Sequence, residues 1–154
     1  MLHYQILTVT PFAQNCTLLW DDESREAVLI DAGGEVARLK QAIEQLQLKL
    51  VALWLTHGHL DHAGAVGELA HYYQVPVIGP HAEDAFWLDA LEQQSKMFGF
   101  PVPQPVVVSQ WLEGNETLYL GQYPIEVRFT PGHTPGHVVL YSKYLNLVWT
   151  GDVL

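Results

Sequence analysis

The sequence predicts an α/β fold in which strands alternate with helices first and a run of strands follows. Up to about residue 100, apolar stretches of strand length alternate with stretches whose apolar residues recur at helical spacing. After that point a proline-rich segment, PVPQPVVVSQW, leads into strand-like segments separated only by short turns. A chain of 154 residues is long enough for one domain with a hydrophobic core. We therefore expect a single domain over residues 1–154, with an αβ half at about 1–100 and the start of a second β half at about 101–154.

The first half contains the predicted alternation of strands and helices. Helical spacing of Val36, Leu39, Ile43 and Leu46 predicts the first helix, because these apolar positions share one helix face. Residues 50–56 are a continuous apolar run, which is typical of a strand covered on both faces. By the same criteria, the other predicted elements of this half are strands at 4–9, 15–20, 26–31 and 75–78 and helices at about 63–73 and from Pro80 onward.

The second half is predicted to consist of strands. Two turn-forming segments, EGNE and KYLN, separate apolar stretches of strand length. The chain ends in LVWTGDVL, on an apolar strand, and a strand in mid-core is an unusual terminus because its edge needs covering. We therefore interpret the chain as C-terminally truncated. The predicted strands of this half lie at 116–120, 124–130, 137–142 and 146–150.

Composition and charge narrow the classes of partner. Hydrophobic residues make up 49% and charged residues 16%, which indicates a globular chain. Seven Lys and Arg against seventeen Asp and Glu give a formal charge of −10, with no basic stripe. This balance excludes a nucleic-acid partner and an anionic membrane surface.

The predicted location is the cytoplasm. No apolar run is long enough to span a bilayer, and the N-terminus lacks the basic and long apolar regions of a secretory signal. Cys16 is the only cysteine, so no intrachain disulfide can form, which suits a reducing compartment. We expect Cys16 to be a small buried apolar residue. The oligomeric state stays open.

The segment LTHGHLDHAG concentrates three histidines and an aspartate within six positions, directly after a predicted strand. We expect Gly58 to permit a tight turn that lets His57 and His59 converge on one point. Asp61 and His62 would then face a second point nearby. Imidazoles and carboxylates are the usual ligands of zinc and similar metals. Two such pairs on one turn could serve two ions about 3.5–4 Å apart, as in dinuclear hydrolases.

Two further turns that follow strands supply more potential ligands. TPGHTPGH contains His133, which we predict to be a metal ligand, and His137, which we predict to orient the turn through a ring N–H. TGD contains Asp152, a carboxylate that could bridge two ions. Turns at the carboxyl ends of strands are where open sheets place their sites. The remaining histidines are expected to be polar surface residues, and they are His3, His71 and His81.

The motifs THGHLDH, PGHTPGH and TGD, in this order, resemble those of the metallo-β-lactamase superfamily. The whole chain resembles the small single-domain glyoxalase II-like, or hydroxyacylglutathione hydrolase-like, enzymes of bacteria. The resemblance implies an αββα four-layer sandwich whose second half is incomplete in this chain. It also implies two divalent metal ions, with zinc favoured over iron or manganese. The implied ligands are His57, His59 and His133 for the first metal, Asp61 and His62 for the second, and Asp152 as the bridge.

The chain also departs from the family pattern. The family supplies one more histidine to the second metal, some tens of residues after the bridging aspartate, and this sequence ends before that position. The C-terminal helical extension by which full-length glyoxalase II enzymes bind glutathione has no counterpart either. These residues are not carried over.

The predicted function is that of a metal-dependent hydrolase acting on a small-molecule thioester. A hydroxide bridging the two metal ions would cleave a glutathione thioester such as S-lactoylglutathione, and the catalytic residue Asp61 would accept a hydrogen bond from that hydroxide. One alternative is a persulfide dioxygenase of the same fold, with a single iron held by His57, His59 and an aspartate. Another is a truncated, non-catalytic metal-binding remnant. The missing basic stripe argues against a nuclease, and the missing signal segment argues against a β-lactamase proper.

Substrate contacts are less well defined by the sequence. Lys96, Met97 and Phe98 could line the mouth of the site, because they lie in the segment that links the two halves. The preferred interpretation of Met97 and Phe98 is nevertheless that they fill the core.

Overall fold

Nine strands form the framework of the structure, a computed structural model that describes residues 1–9 and 14–153. In chain order these strands are β1 (Leu2–Val9), β2 (Gln14–Asp21), β3 (Glu26–Ile30), β4 (Lys49–Trp54), β5 (Val77–Ile78), β6 (Thr117–Leu120), β7 (Tyr123–Phe129), β8 (Val138–Ser142) and β9 (Leu147–Trp149). They form a five-stranded sheet in the order β1-β2-β3-β4-β5 and a four-stranded sheet in the order β6-β7-β8-β9.

Five α-helices lie in the first half of the chain, between the strands of the first sheet and after its last strand. They are α1 (Val36–Gln45), α2 (Leu60–Ala63), α3 (Val66–Tyr73), α4 (Ala85–Asp89) and α5 (Leu91–Phe98), and a 3-10 turn (Ala82–Asp84) precedes α4. None of the described helices combines the length and the apolar character needed to cross a membrane.

The first sheet is mixed and the second is antiparallel. β1 pairs antiparallel with β2 and β2 with β3, whereas β3, β4 and β5 run parallel. β6, β7, β8 and β9 pair antiparallel in chain order. The predicted change from strand–helix alternation to consecutive strands is therefore the change from the first sheet to the second.

Two hydrophobic cores lie on opposite faces of the first sheet. Successive side chains of a strand point to opposite faces, and β3 follows this rule with every apolar residue buried. Ala27 and Leu29 pack with the helices on one side, while Val28 and Ile30 pack against the second sheet on the other. The described residues thus form three layers, one of helices and two of sheet, which correspond to three of the four layers of the expected αββα sandwich.

The predicted metal-binding turns meet at one edge of these layers. In the parallel pair β3–β4, Ile30 lies opposite Trp54, so both strands end at the same edge. The second sheet joins that edge directly, because Val138 at the start of β8 donates its backbone N–H to the carbonyl of Thr56 at 2.8 Å. The carboxyl ends of β3 and β4 therefore come together with the loop before β8.

The predicted helices differ from the observed ones in their continuity. The helix expected at about 63–73 is two helices, α2 and α3, and the helix expected from Pro80 onward is the 3-10 turn followed by α4 and α5. The break between α4 and α5 lies at Ala90, whose φ of −100° and ψ of 15° are not helical. The strand expected at 75–78 contains only Val77 and Ile78.

Candidate metal centre

All six residues predicted as metal ligands lie together in two donor clusters that share one aspartate. Within each cluster, one potential ligand atom per residue lies within 4.8 Å of all the others. The first donor cluster is His57, His59, His133 and Asp152, and the second donor cluster is Asp61, His62 and Asp152. Which of these donors hold ions stays a prediction.

A single carboxylate oxygen of Asp152 links the two clusters. Asp152 Oδ2 lies 3.1 Å from His133 Nε2 and 3.4 Å from His57 Nε2 in the first cluster. The same oxygen lies 3.3 Å from His62 Nε2 in the second, where Asp61 Oδ2 is 3.6 Å from that nitrogen. This oxygen therefore occupies the place of a ligand that two neighbouring ions could share.

The protonation pattern of His57 and His62 fits a bound cation. His62 Nδ1 lies 2.9 Å from Asp31 Oδ2, to which it donates. Thr56 Oγ1 donates to the same Asp31 oxygen at 2.7 Å, so its lone pair accepts from His57 Nδ1 at 3.0 Å. With Nδ1 engaged in both rings, Nε2 is the nitrogen left for a cation, and both Nε2 atoms are buried with no hydrogen-bond partner among the described residues. A divalent cation would satisfy both atoms.

Asp31 is the residue that sets these ring orientations, and the sequence analysis did not single it out. It is only 4% exposed, has a φ of +58°, and also accepts from the backbone N–H of Thr56 at 2.8 Å. Its sequence signal resembles that of Asp152, since both carboxylates follow an apolar strand. Asp31 was instead assigned to the end of the predicted strand 26–31.

Asp84 joins the two turns that carry the first cluster, and it too was missed. Its Oδ2 accepts from the backbone N–H of Gly58 at 2.9 Å and from Thr134 Oγ1 at 2.8 Å, while its Oδ1 accepts from the backbone N–H of Gly136 at 2.7 Å. The Asp84 side chain is fully buried. Three donors to one buried carboxylate thus fix the histidine-rich turn relative to the His133 turn.

Gly58 has a different role from the expected one. Its φ is not positive, so it is not needed for a left-handed turn. A Cβ at this position would lie 2.9 Å from Cβ of Trp87 and 3.2 Å from the backbone oxygen of Asp84. The glycine is therefore required for close approach of the 84–87 segment.

His137 positions Asp152 through the backbone. Its Nε2 accepts from the backbone N–H of Asp152 at 3.1 Å, and its ring stacks on that of His57 with 4.6 Å between centroids. Nδ1 of His137 lies 3.3 Å from Thr130 Oγ1, at the other end of the His133 turn. The expected orienting role of His137 thus extends to the aspartate that follows β9.

The pKa values of the buried histidines are shifted in opposite directions. Burial lowers the pKa of His57, and the nearby His62 and His137 lower it further. Burial also lowers the pKa of His59. Burial acts against protonation of His62 as well, but Asp31 and two site carboxylates outweigh it and raise its pKa to about 9. In the metal-free protein His57 and His59 therefore favour neutral rings, whereas His62 retains a proton that a cation must displace.

A cavity of about 450 Å³ opens beside the two clusters. It is lined by His59, Leu60, Asp61, Trp87, Gln94, Met97, Phe98, His133 and Asp152. Met97 is 78% exposed and Phe98 52% exposed, so the preferred interpretation that they fill the core is wrong. Lys96 does not line the cavity, and its Nζ lies 3.3 Å from Glu92 Oε1 on the same helix.

The residues expected to be unrelated to the site lie elsewhere. Cys16 is fully buried as predicted, and burial raises its pKa above the ordinary thiol range. His3 contacts Asp22 at 2.9 Å, and His71 is exposed. His81 departs from the expected surface role, because it is half-buried, accepts a hydrogen bond from the backbone N–H of Glu83 and stacks on Phe129.

Comparison with known proteins agrees with this geometry. The family profile described as the metallo-β-lactamase superfamily matches residues 9–154. The hydroxyacylglutathione hydrolase GloC of Haemophilus influenzae is 42% identical over 154 residues, which are 99% of this chain and 72% of that protein.

Two solved structures share the fold over nearly the whole chain. The B3 metallo-β-lactamase BLEG-1 gives a TM-score of 0.88 at 32% identity, covering 99% of this chain and 73% of that one. TTHA1623 in a di-iron-bound form gives a TM-score of 0.86 at 31% identity, covering 97% of this chain and 72% of that one. The chain therefore belongs to the metallo-β-lactamase superfamily, a hydrolase superfamily that binds divalent metals.

Proposed function

We propose that the chain is a thioester hydrolase of the glyoxalase II type that uses two divalent metal ions and acts on a glutathione thioester such as S-lactoylglutathione. The observation that carries the proposal is the pair of buried Nε2 atoms of His57 and His62, which have no hydrogen-bond partner among the described residues and lie 3.4 Å and 3.3 Å from one oxygen of Asp152. The 42% identity to a hydroxyacylglutathione hydrolase supports the choice of substrate. Zinc suits the nitrogen and oxygen donors, and the di-iron form of TTHA1623 makes iron the first alternative.

Each cluster has a distinct part in this proposal. His57, His59 and His133 would hold one ion, Asp61 and His62 would hold the other, and Asp152 would bridge them. When bound, two such ions lower the pKa of water to roughly 7 and polarise a carbonyl group. Asp31 orients both rings so that their Nε2 atoms can act as ligands. It accepts a hydrogen bond from His62 directly, and it accepts one from Thr56, whose hydroxyl contacts His57.

The residues of the chain would then guide the cleavage. Asp61 borders the cavity and accepts a hydrogen bond from the attacking water, which aims the water oxygen at the thioester carbonyl carbon. A carbon–oxygen bond forms, the carbon–sulfur bond breaks, and the sulfur leaves with the bonding electron pair as a thiolate. One water is consumed, and the products are a carboxylate, a thiol and a proton. No side-chain nucleophile takes part, and the buried Cys16 lies outside the site.

The test combines metal content with turnover. Metal per purified 154-residue chain is measured by inductively coupled plasma mass spectrometry, and thiol release from S-lactoylglutathione is followed with a chromogenic disulfide. We expect about two ions per chain and release of one thiol per thioester consumed. His59→Ala and Asp152→Ala should lose metal and activity, whereas His71→Ala, at an exposed histidine, should retain both. Normal metal content in both ligand variants would overturn the site assignment.

Two further substrates separate the proposal from its rivals. Oxygen consumption with glutathione persulfide and one iron per chain would favour the dioxygenase. A β-lactam is included because of the similarity to BLEG-1. Turnover of the β-lactam, without turnover of any thioester by the metal-loaded chain, would replace the thioesterase proposal.

A further inference from the structure

We propose that the cavity beside the donor clusters, lined by Trp87, Met97 and Phe98, is an acyl pocket that binds the uncharged acyl group of the thioester and favours acyl chains with more apolar surface than the lactoyl group. This inference rests on the proposed thioester hydrolysis and specifies which part of the substrate enters the cavity. At about 450 Å³ the cavity is within the range of small-molecule sites, roughly 300–1,000 Å³.

The cavity has a polar floor and an apolar wall. The floor contains His59, His133 and Asp152 of the first cluster, whose ligand atoms converge within 4.8 Å. The wall contains Trp87 and the α5 residues Met97 and Phe98. A carbonyl carbon held at the floor would therefore have one of its two substituents lying along this wall.

The helical segment that forms the wall is fixed to the donor clusters. Gln94 Oε1 accepts from the backbone N–H of Leu60 at 2.9 Å, and its Nε2 donates to the backbone carbonyl of Trp87 at 2.8 Å. The Trp87 ring meets the His59 ring edge-on, with 4.6 Å between centroids. These contacts fix the distance between the wall and the donors. That distance would limit the size of the substituent on the carbonyl carbon that fits between them.

Charge decides which substituent fits. Glutathione carries two carboxylates, and the described lining contains no Lys or Arg to pair with them, while Asp61 and Asp152 are taken up as proposed metal ligands. Lys96, on the same helix as the wall residues, is outside the lining and engaged by Glu92. The charged thiol part would lose hydration along this apolar wall without gaining an ionic partner, whereas an alkyl or aryl acyl group would bury apolar surface there. The exposed Met97 supplies a flexible surface that adapts to acyl groups of different shape.

The test uses a series of S-acyl-N-acetylcysteamines with acyl chains of two to eight carbons, hydrolysed by the full metal-loaded chain. We expect kcat/KM to rise by roughly three- to fourfold for each methylene that enters the pocket, up to its capacity. Met97→Ser combined with Phe98→Ser should flatten this rise. Val107→Ser is the matched control, because Val107 is 79% exposed and lies outside the lining. A flat series in the parent chain, or an equal rise in the double variant, would overturn the pocket while leaving thioester hydrolysis intact.

A binding measurement keeps the two proposals separable. S-alkyl-N-acetylcysteamines have a methylene in place of the carbonyl and cannot be hydrolysed, and their affinity is measured by calorimetry and by tryptophan fluorescence, which Trp87 reports. Affinity that rises with alkyl length and falls in the double variant supports the pocket even if no thioester is cleaved. Affinity independent of alkyl length overturns the pocket, and absence of turnover for every thioester overturns only the hydrolase proposal.

Discussion

Replacement of Asp84 by asparagine tests how firmly the two histidine turns depend on one buried carboxylate. An asparagine side chain has a single acceptor oxygen, which can stay with Gly58 and Thr134 only if its amide group faces the backbone N–H of Gly136. One buried donor then loses its acceptor, at about 1–3 kcal/mol, and the two remaining bonds weaken because their acceptor is no longer charged. Removal of a buried charge offsets part of this loss. The expected destabilisation is about 2–4 kcal/mol.

The measurement is urea unfolding of the metal-free protein, followed by tryptophan fluorescence at pH 7. Asp89→Asn is the matched control, because Asp89 is exposed at the end of α4 and should change stability by no more than about 0.5 kcal/mol. Metal retained after dialysis is the second measurement, since Asp84 connects the turns of His57 and His133. An Asp84→Asn variant with the stability and metal content of the Asp89 control would refute this account of the site.

Three further predictions concern other parts of the molecule. Gly151→Ala should reduce metal content, because Gly151 has a φ of +54° and an added Cβ would lie 2.6 Å from His137 Nε2. Gly132→Ala is the control and should retain the metal, because an added Cβ at Gly132 has no atom within 4 Å. The metal-free protein should lose stability between pH 6.5 and 9, because the folded state raises the pKa of His62 from 6.5 to about 9 and so stabilises its protonated form. The free energy of unfolding is measured at a series of pH values in this range. His62→Gln should flatten the dependence of stability on pH, and an unchanged dependence would assign it to other groups. The thiol of Cys16 should react with a thiol reagent only after unfolding, since it is fully buried, and rapid labelling of the native protein would contradict that burial.

The residues that could be predicted from the sequence are those whose signal is local. Four of the six proposed ligands follow one apolar strand within six positions, from His57 to His62, and Asp152 directly follows another strand. The carboxyl ends of the parallel strands β3 and β4 meet at one edge, and the backbone hydrogen bond from Val138 to Thr56 joins the second sheet to that edge. The change from strand–helix alternation to consecutive strands could be predicted for the same reason. The spacing of apolar residues that distinguishes a helix from a strand is visible within a short segment of sequence.

The residues that could not be predicted act across the chain. Asp84 reaches Gly58, 26 residues earlier, and Gly136, 52 residues later, and nothing in its own segment indicates either contact. The exposure of Met97 follows from the break at Ala90 and from the attachment of α5 to the ligand turn through Gln94. An apolar residue in a helical segment is expected to be in the core unless such tertiary contacts are known, which is why the sequence favours the core for Met97 and Phe98.

The attachment of the cavity wall at Asp84 and Gln94 has a consequence for how related enzymes could diverge. These two buried side chains hold the 84–98 segment to the donor clusters through hydrogen bonds to backbone groups on either side. The wall residues Met97 and Phe98 are exposed and contribute little to folding. In the proposed acyl pocket, substitutions at these two positions would change substrate preference with little effect on stability or metal binding. The fold therefore separates the buried residues that position the donor clusters from an exposed surface that can change without disturbing them.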